Sequence, residues 1–367
     1  MNDTNITALA QLLVRYSLDI QKGETVAIRG PTYSEPLVRE LYAAILEAGG
    51  IPSLRLAFSG QPYTFYSRAQ DHHLDACNEA DYRDMAFFDA YMAIRTYDNA
   101  RELSGIDPQL QARASRAQRR ISDLQSQREE TGAFRWSLAP FPTASMAQEA
   151  GMALEEYESF VYRACHLDKE DPVAEWKRIS AEQERLCRWL SKRDEFRFVG
   201  PGTDLSMSCA GRTWINCDGH KNMPDGEVFT GPVEDSAQGT ITFTYPALYR
   251  GTEVSGIRLT FKDGVVADFD ASKGRDFLGA MIGTDEGSRR IGEIAIGTNY
   301  GITRFTRLIL FDEKIGGTMH LALGDGITGS GSRNRSAIHW DMLKEMRDGG
   351  KIYADGELFY ENGTVLI

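Results

Sequence analysis

His339 and Asp341 stand two residues apart in Ser336-Ala-Ile-His-Trp-Asp-Met. In a strand, residues i and i+2 point to one face, so an imidazole and a carboxylate are aimed at one point. Two such donors suit one divalent cation, and they equally suit a His–Asp hydrogen bond inside a sheet. A second imidazole, His320, lies in Thr318-Met-His-Leu-Ala-Leu-Gly. That apolar, strand-like run ends in the glycine-rich loop Gly324-Asp-Gly-Ile-Thr-Gly-Ser-Gly-Ser-Arg. Two glutamates complete the candidate set. Glu227 follows a turn in Asn222-Met-Pro-Asp-Gly-Glu-Val-Phe-Thr-Gly-Pro, and Glu293 sits in Arg290-Ile-Gly-Glu-Ile-Ala-Ile-Gly. A carboxylate between Ile or Val neighbours either faces solvent or, if buried, needs a partner.

The elements that must hold these residues follow from periodicity. In the first 60 residues, Val26-Ala-Ile-Arg reads as a strand. Ser34-Glu-Pro starts a helix, with Ser34 as cap and Leu37, Leu41, Ala44 and Ile45 as its apolar stripe. Gly49-Gly50 stops that helix before the next strand, Ser53-Leu-Arg-Leu-Ala-Phe. This is the βαβ pattern of an open parallel sheet. The turn after the first strand, Arg29-Gly-Pro-Thr, carries no GxGxxG, which argues against a dinucleotide site. Tyr91-Met-Ala-Ile-Arg is a further strand, and long charged helices are expected around 108–130, 153–165 and 172–192.

Near residue 195 the pattern changes to short alternating runs such as Phe196-Arg-Phe-Val, Thr240-Ile-Thr-Phe-Thr-Tyr and Ile257-Arg-Leu-Thr-Phe. Asp-Gly or Asn-Gly pairs at 263–264, 355–356 and 362–363 mark hairpins. One helix is expected at about 275–291. The fold class is therefore α/β plus α+β. An N-terminal open α/β domain (1–195) precedes a C-terminal β-rich, largely antiparallel domain (196–367), curled into a barrel-like layer, that holds every candidate ligand.

Composition narrows the function. Of 367 residues, 41 are Lys or Arg and 53 are Asp or Glu, a formal charge of −12. That balance argues against a general binder of nucleic acid or anionic membrane. No run approaches the ~18 apolar residues that span a bilayer. The N-terminus, with Ile6, Leu9, Leu12, Leu13 and Tyr16 at helical spacing, reads as an amphipathic helix rather than a signal peptide. The five cysteines, Cys77, Cys165, Cys187, Cys209 and Cys217, form no CxxC pair. The expectation is a reduced, cytoplasmic protein whose metal, if any, is held by histidines and carboxylates.

From Asn222 to the C-terminus the sequence resembles the M29 family of metallo-aminopeptidases. The stretches that carry the resemblance are NMPDGEVFTGPVEDSAQG, TDEGSRRIGEIAIGTNYGI, FDEKIGGTMHLALG and NRSAIHWDM, and VAIRGPTYSEPLVRELYAAILEAGG resembles that family's first βαβ unit. The resemblance implies a Glu, Glu, His, His, Asp metal set, here Glu227, Glu293, His320, His339 and Asp341. It also implies a homodimer and the release of N-terminal residues from peptide or small amide substrates. Such a set suits two divalent ions, zinc, cobalt or manganese, which polarise a peptide carbonyl and activate a water. Glu227 and Glu293 are then the catalytic carboxylates, with Glu293 carrying a proton to the leaving amine. The family's Tyr, seven residues after the first metal His, is Ile327 here, so either another donor such as Tyr300 or Arg333 substitutes for it or the substrate is not an ordinary peptide. The alternative is a mononuclear iron(II) ring-cleaving dioxygenase of the dihydroxypyridine type. Those relatives carry His where this chain has Glu293 and lack counterparts of Glu227 and His320, which favours hydrolysis.

Overall fold

The computed structural model describes residues 3–249 and 251–367; the first two residues of the expected N-terminal helix lie outside them. The chain folds as two compact units, residues 1–173 with 219–223, and residues 174–218 with 224–367.

The first unit is built on strands β1 (Thr25–Pro31), β2 (Ile51–Ala57), β3 (Ala90–Arg95) and β4 (Arg135–Pro140). They pair in parallel in the order β2-β1-β3-β4. Val26, Ala27 and Ile28 are all fully buried, as a parallel strand covered on both faces requires. Helix α1 (Asp3–Leu12) continues through a π-helical turn, Leu13–Ser17. Helix α2 (Glu35–Glu47) buries Leu37, Leu41, Ala44 and Ile45, the stripe read from the sequence, and Val38 beside them. It ends where Gly49 takes a left-handed φ of 85°. Ser34 does not cap it with its side chain; the hydroxyl instead donates to Pro31 O at 2.6 Å.

The single helix expected over 108–130 is two, Pro108–Ala117 and Arg119–Glu130. The break falls at Gln118, whose side chain donates to Ala76 O and accepts from the Asn78 amide. Those tertiary bonds hold Gln118 outside regular helix, which local periodicity does not report.

The second unit is antiparallel. Its strands are β5 (Glu195–Gly200), β6 (Thr203–Ser208), β7 (Ile215–Cys217), β8 (Glu227–Thr230), β9 (Gln238–Thr242), β10 (Ala247–Tyr249), β11 (Thr252–Val254) and β12 (Arg258–Lys262). The series continues with β13 (Val265–Asp270), β14 (Ile291–Gly297), β15 (Thr318–Gly324), β16 (His339–Glu345), β17 (Lys351–Ala354), β18 (Glu357–Glu361) and β19 (Thr364–Val365). One sheet runs β13-β12-β9-β6-β5-β17-β18-β19, a second runs β16-β15-β14-β8-β7, and β10 and β11 form a pair. The eight-stranded sheet has two edges, β13 and β19, so it is an open layer rather than the barrel-like one expected.

All three dipeptide turns adopt positive φ at both residues: 51° and 75° at Asp263-Gly264, 48° and 82° at Asp355-Gly356, 48° and 81° at Asn362-Gly363. This is the two-residue hairpin geometry that those sequences favour. The helix expected at 275–291 covers only Arg275–Ile282, with a 3-10 turn at Gly287–Arg289. One buried cluster takes side chains from both large sheets, among them Phe196, Phe198, Ile241, Leu259, Ile294, Ile296, Leu321, Leu323, Trp340 and Met342.

Candidate metal centre

The five-stranded sheet divides its side chains by parity. Val228, Ile294, Ile296, Met319, Leu321, Leu323, Trp340 and Met342 face the shared core. The alternate positions hold Glu227 on β8, Glu293 on β14, His320 on β15, and His339 and Asp341 on β16. Antiparallel register lines these up on one face, because directly opposed residues point the same way. Ala322 of β15 lies opposite both Asp341 and Glu293, Ala295 opposite His320, Gly297 opposite Glu227, and Gly324 opposite His339. Ala322, Ala295, Gly297 and Gly324 thus leave room above the sheet, while Leu343 stands opposite His320 and Phe229 opposite Ala295 on the same face. A one-residue irregularity in β14 between Ile291 and Glu293 brings Glu293 into this row.

Glycine is required at one turn of the site. Gly226 precedes Glu227 at φ 120°, and a Cβ there would meet the Asn299 Cβ at 2.6 Å. The turn folds Asp225 back beside the start of β8. Gln183, buried on helix Pro172–Leu190, secures the neighbouring strands. Its Nε2 donates to Asn216 Oδ1, Cys217 O and Glu227 O, and its Oε1 accepts from Thr298 Oγ1. Nothing in the sequence marked Gln183, since it is one polar residue on a charged helix.

The ligating atoms converge. His320 Nε2 lies 3.2 Å from Glu293 Oε1, 3.7 Å from Glu227 Oε2 and 4.0 Å from Asp341 Oδ1. His339 Nε2 lies 3.4 Å from Asp341 Oδ1 and 3.7 Å from Glu293 Oε2. The other ring nitrogens donate outward: His320 Nδ1 to Glu313 O at 3.0 Å, and His339 Nδ1 to Asp325 O at 2.7 Å. A backbone acceptor at Nδ1 fixes the tautomer that presents Nε2 as a lone pair, the usual outer arrangement of a metal-bound imidazole. Glu227 Oε2 is buried without a hydrogen-bond partner, a costly state unless a cation meets it. The donor set of three carboxylates and two imidazoles therefore fits a divalent metal centre.

Charge balance in the metal-free cluster follows from the same contacts. Burial raises the Glu227 carboxyl to about 8, although Lys314 and His320 oppose it. Burial would lower both imidazoles, but the surrounding carboxylates outweigh it and raise His320 and His339 to about 10. Burial likewise works against the Asp341 anion, and the two histidines prevail and hold it at about 2. Protons on the imidazoles thus stand where cations would bind.

Lys314 is fully buried beside this face. Its ammonium contacts the Glu313 carboxylate and lies 3.8 Å from Glu227 Oε1. Burial would lower it, but Glu313, Glu227 and Asp225 overcome that and keep it above the usual lysine range. The sequence offered no sign of Lys314, because one lysine in Phe311-Asp-Glu-Lys reads as surface. Ile327 is half exposed and opens the 3-10 turn Thr328–Ser330, its carbonyl accepting from Ser330. Tyr300 spends its hydroxyl on Gly363 O at 2.7 Å, and the Arg333 amide donates to Glu234. No disulfide joins the described cysteines. No described helix is long and apolar enough to cross a membrane.

Residues 2–365 match the thermophilic metalloprotease (M29) family, and the chain belongs to that family, a class of hydrolases. Aminopeptidase 2 of Geobacillus stearothermophilus is 29% identical over 347 residues, 86% of this chain and 82% of that one. Among solved structures, wild-type AmpT from Thermus thermophilus superposes with a TM-score of 0.84 at 24% identity, over 99% of both chains. A 2,5-dihydroxypyridine dioxygenase from Pseudomonas putida KT2440 superposes with a TM-score of 0.62 at 14% identity, over 100% of this chain and 98% of that one. At these identities, both structural likenesses speak to the fold.

Proposed function

We propose that the chain is an aminopeptidase that works with two divalent ions held by Glu227, Glu293, His320, His339 and Asp341. One observation carries the two-ion reading: Glu293 and Asp341 each lie within 4.0 Å of both imidazole Nε2 atoms. Carboxylates placed between two imidazoles can serve a pair of ions, each with its own histidine. The family relatives named as aminopeptidases supply the substrate class, a peptide with a free N-terminus. When bound, such ions polarise the scissile carbonyl and lower the pKa of a bound water.

The chain's own residues do the rest. The two backbone-anchored imidazoles and the small residues beneath them fix the donors and leave space above the sheet. Glu293, set between the imidazoles, is the residue placed to receive a proton from water and pass it to the departing amine. Ile327 cannot donate to an oxyanion, so that stabilisation falls on the metal centre. Losing one such donor costs ~10²–10³ in rate in comparable sites, and Ile327→Tyr should raise turnover on peptides.

Metal analysis of purified protein is expected to give two divalent ions per chain, and amino-acid p-nitroanilides should be cleaved with activity lost to chelator. One iron per chain would point instead to the dioxygenase reading. If zinc-, cobalt- and manganese-loaded protein all leave a peptide panel intact, the aminopeptidase assignment is wrong.

A further inference from the structure

A second cluster of ligating atoms adjoins the five-residue set. Cys217, Asp225 and Glu227 each place one ligand atom within 4.8 Å of the others. Cys217 is directly opposite Glu227 in the β7–β8 register, so its thiol lies on the same face of the sheet as the candidate centre. Glu227 thus faces two ways: Oε2 toward His320 and Oε1 toward Lys314. The Lys314 ammonium, wholly buried, contacts the Glu313 carboxylate and lies 3.8 Å from Glu227 Oε1, Asp225 adds to the negative field on it, and Cys217 shares the field of Asp225, Glu227 and Lys314. Lys314 reaches this place from a segment that serves the other side as well, since the preceding carbonyl, Glu313 O, orients His320.

We propose that Lys314 is a resident cation: it fills the position that a metal would take among Cys217, Asp225 and Glu227, and so reserves Glu227 Oε2 for the catalytic ions. The inference rests on the metal-centre reading given above and adds to it a positioning residue and a latent, thiolate-containing site. Two carboxylates and a thiol without the ammonium form a donor set suited to a soft divalent ion. Binding there would release the Cys217 proton to solvent and form a metal–thiolate bond. With the ammonium in place, a second cation is repelled.

Cadmium tests this, because its bond to a thiolate adds a distinct ultraviolet charge-transfer band. In the wild-type chain, cadmium should load the five-residue centre and produce no band attributable to Cys217. Lys314→Met should bind one cadmium more than wild type and show the band, and Lys314→Met/Cys217→Ser should lose both. The wild-type ion count tests the metal-centre reading, and the difference between variant and wild type tests Lys314. An unchanged ion count without a band in Lys314→Met overturns the proposal. So does a band in wild type that disappears in Cys217→Ser, a measurement that holds even if Lys314→Met fails to fold. Folding of Lys314→Met only when cadmium is supplied, with the band present, supports it.

Discussion

The parallel sheet of the first unit and the five-stranded antiparallel sheet of the second contain strands that are equally hidden from solvent. Val26-Ala27-Ile28 in β1 and all seven residues of β14 and β15 are buried. They hide different chemistry. In β1 both faces are apolar. In β14 and β15 one face is apolar and the other carries Glu293 and His320 over small residues. An apolar face is stable as it stands. A buried face of carboxylates and imidazoles is stable only with protons, partner charges or metal to balance it. Both clusters of candidate ligands found among the described residues lie in the second unit. The difference teaches that burial alone does not separate core from site; the parity of the strand does.

The most damaging change to this distinction is to remove a donor. His339→Ala or Asp341→Ala should abolish ion binding and peptidase activity, beyond the ~10–100-fold loss typical when only an outer partner of a ligand is removed. Full activity in either variant would refute the site. Next comes filling the space between donors. Ala322→Leu should cost ~1–3 kcal/mol in stability from overpacking and block ion loading. Ala27→Leu in the parallel sheet should cost a similar amount by denaturant titration while leaving ion binding unchanged. Equal ion binding in the two variants would show that Ala322 does not border the centre.

Gln183→Ala probes the strand anchors. It removes a buried side-chain donor from the Glu227 carbonyl and from the Cys217 carbonyl, which keeps the Gly226 N–H, a loss of ~1–3 kcal/mol, with weakened rather than abolished ion binding by calorimetry. A further test is pH. In chelated protein the protons on His320 and His339, whose pKa values are raised to about 10, stabilise the fold. That contribution is complete below the ordinary imidazole value of ~6.5 and is lost as pH rises through about 10. The Tm of metal-free protein should therefore fall across that window, ~2–4 °C for each kcal/mol lost. Added zinc should flatten the slope, because the ions displace those protons. A metal-free Tm that rises over the same window would contradict the charge balance described.

The alternation in Gly292-Glu-Ile-Ala-Ile-Gly and Met319-His-Leu-Ala-Leu-Gly is local, and it was enough to identify strands with a polar face. The Asp-Gly and Asn-Gly turns were legible because left-handed φ is a property of two residues and needs no distant partner. His339 and Asp341 could be paired from their spacing, and the βαβ start could be read from its helix stripe. The break at Gln118 could not, because contacts from a remote segment end that helix; the helix expected to 291 stops at Ile282, where Gly283 and a local Asp285–Ser288 turn take over.

The tertiary structure alone decided which strands lie side by side, and so which donors share a point. Glu227 and His320 are 93 positions apart in sequence (320 − 227), and only the order β16-β15-β14-β8-β7 brings them within 3.7 Å. The same holds for Gln183 and Lys314, which act through backbone carbonyls and a buried ammonium. Residue types and their period fix what a strand can offer. Register between strands, set by packing of the opposite face, fixes what it meets.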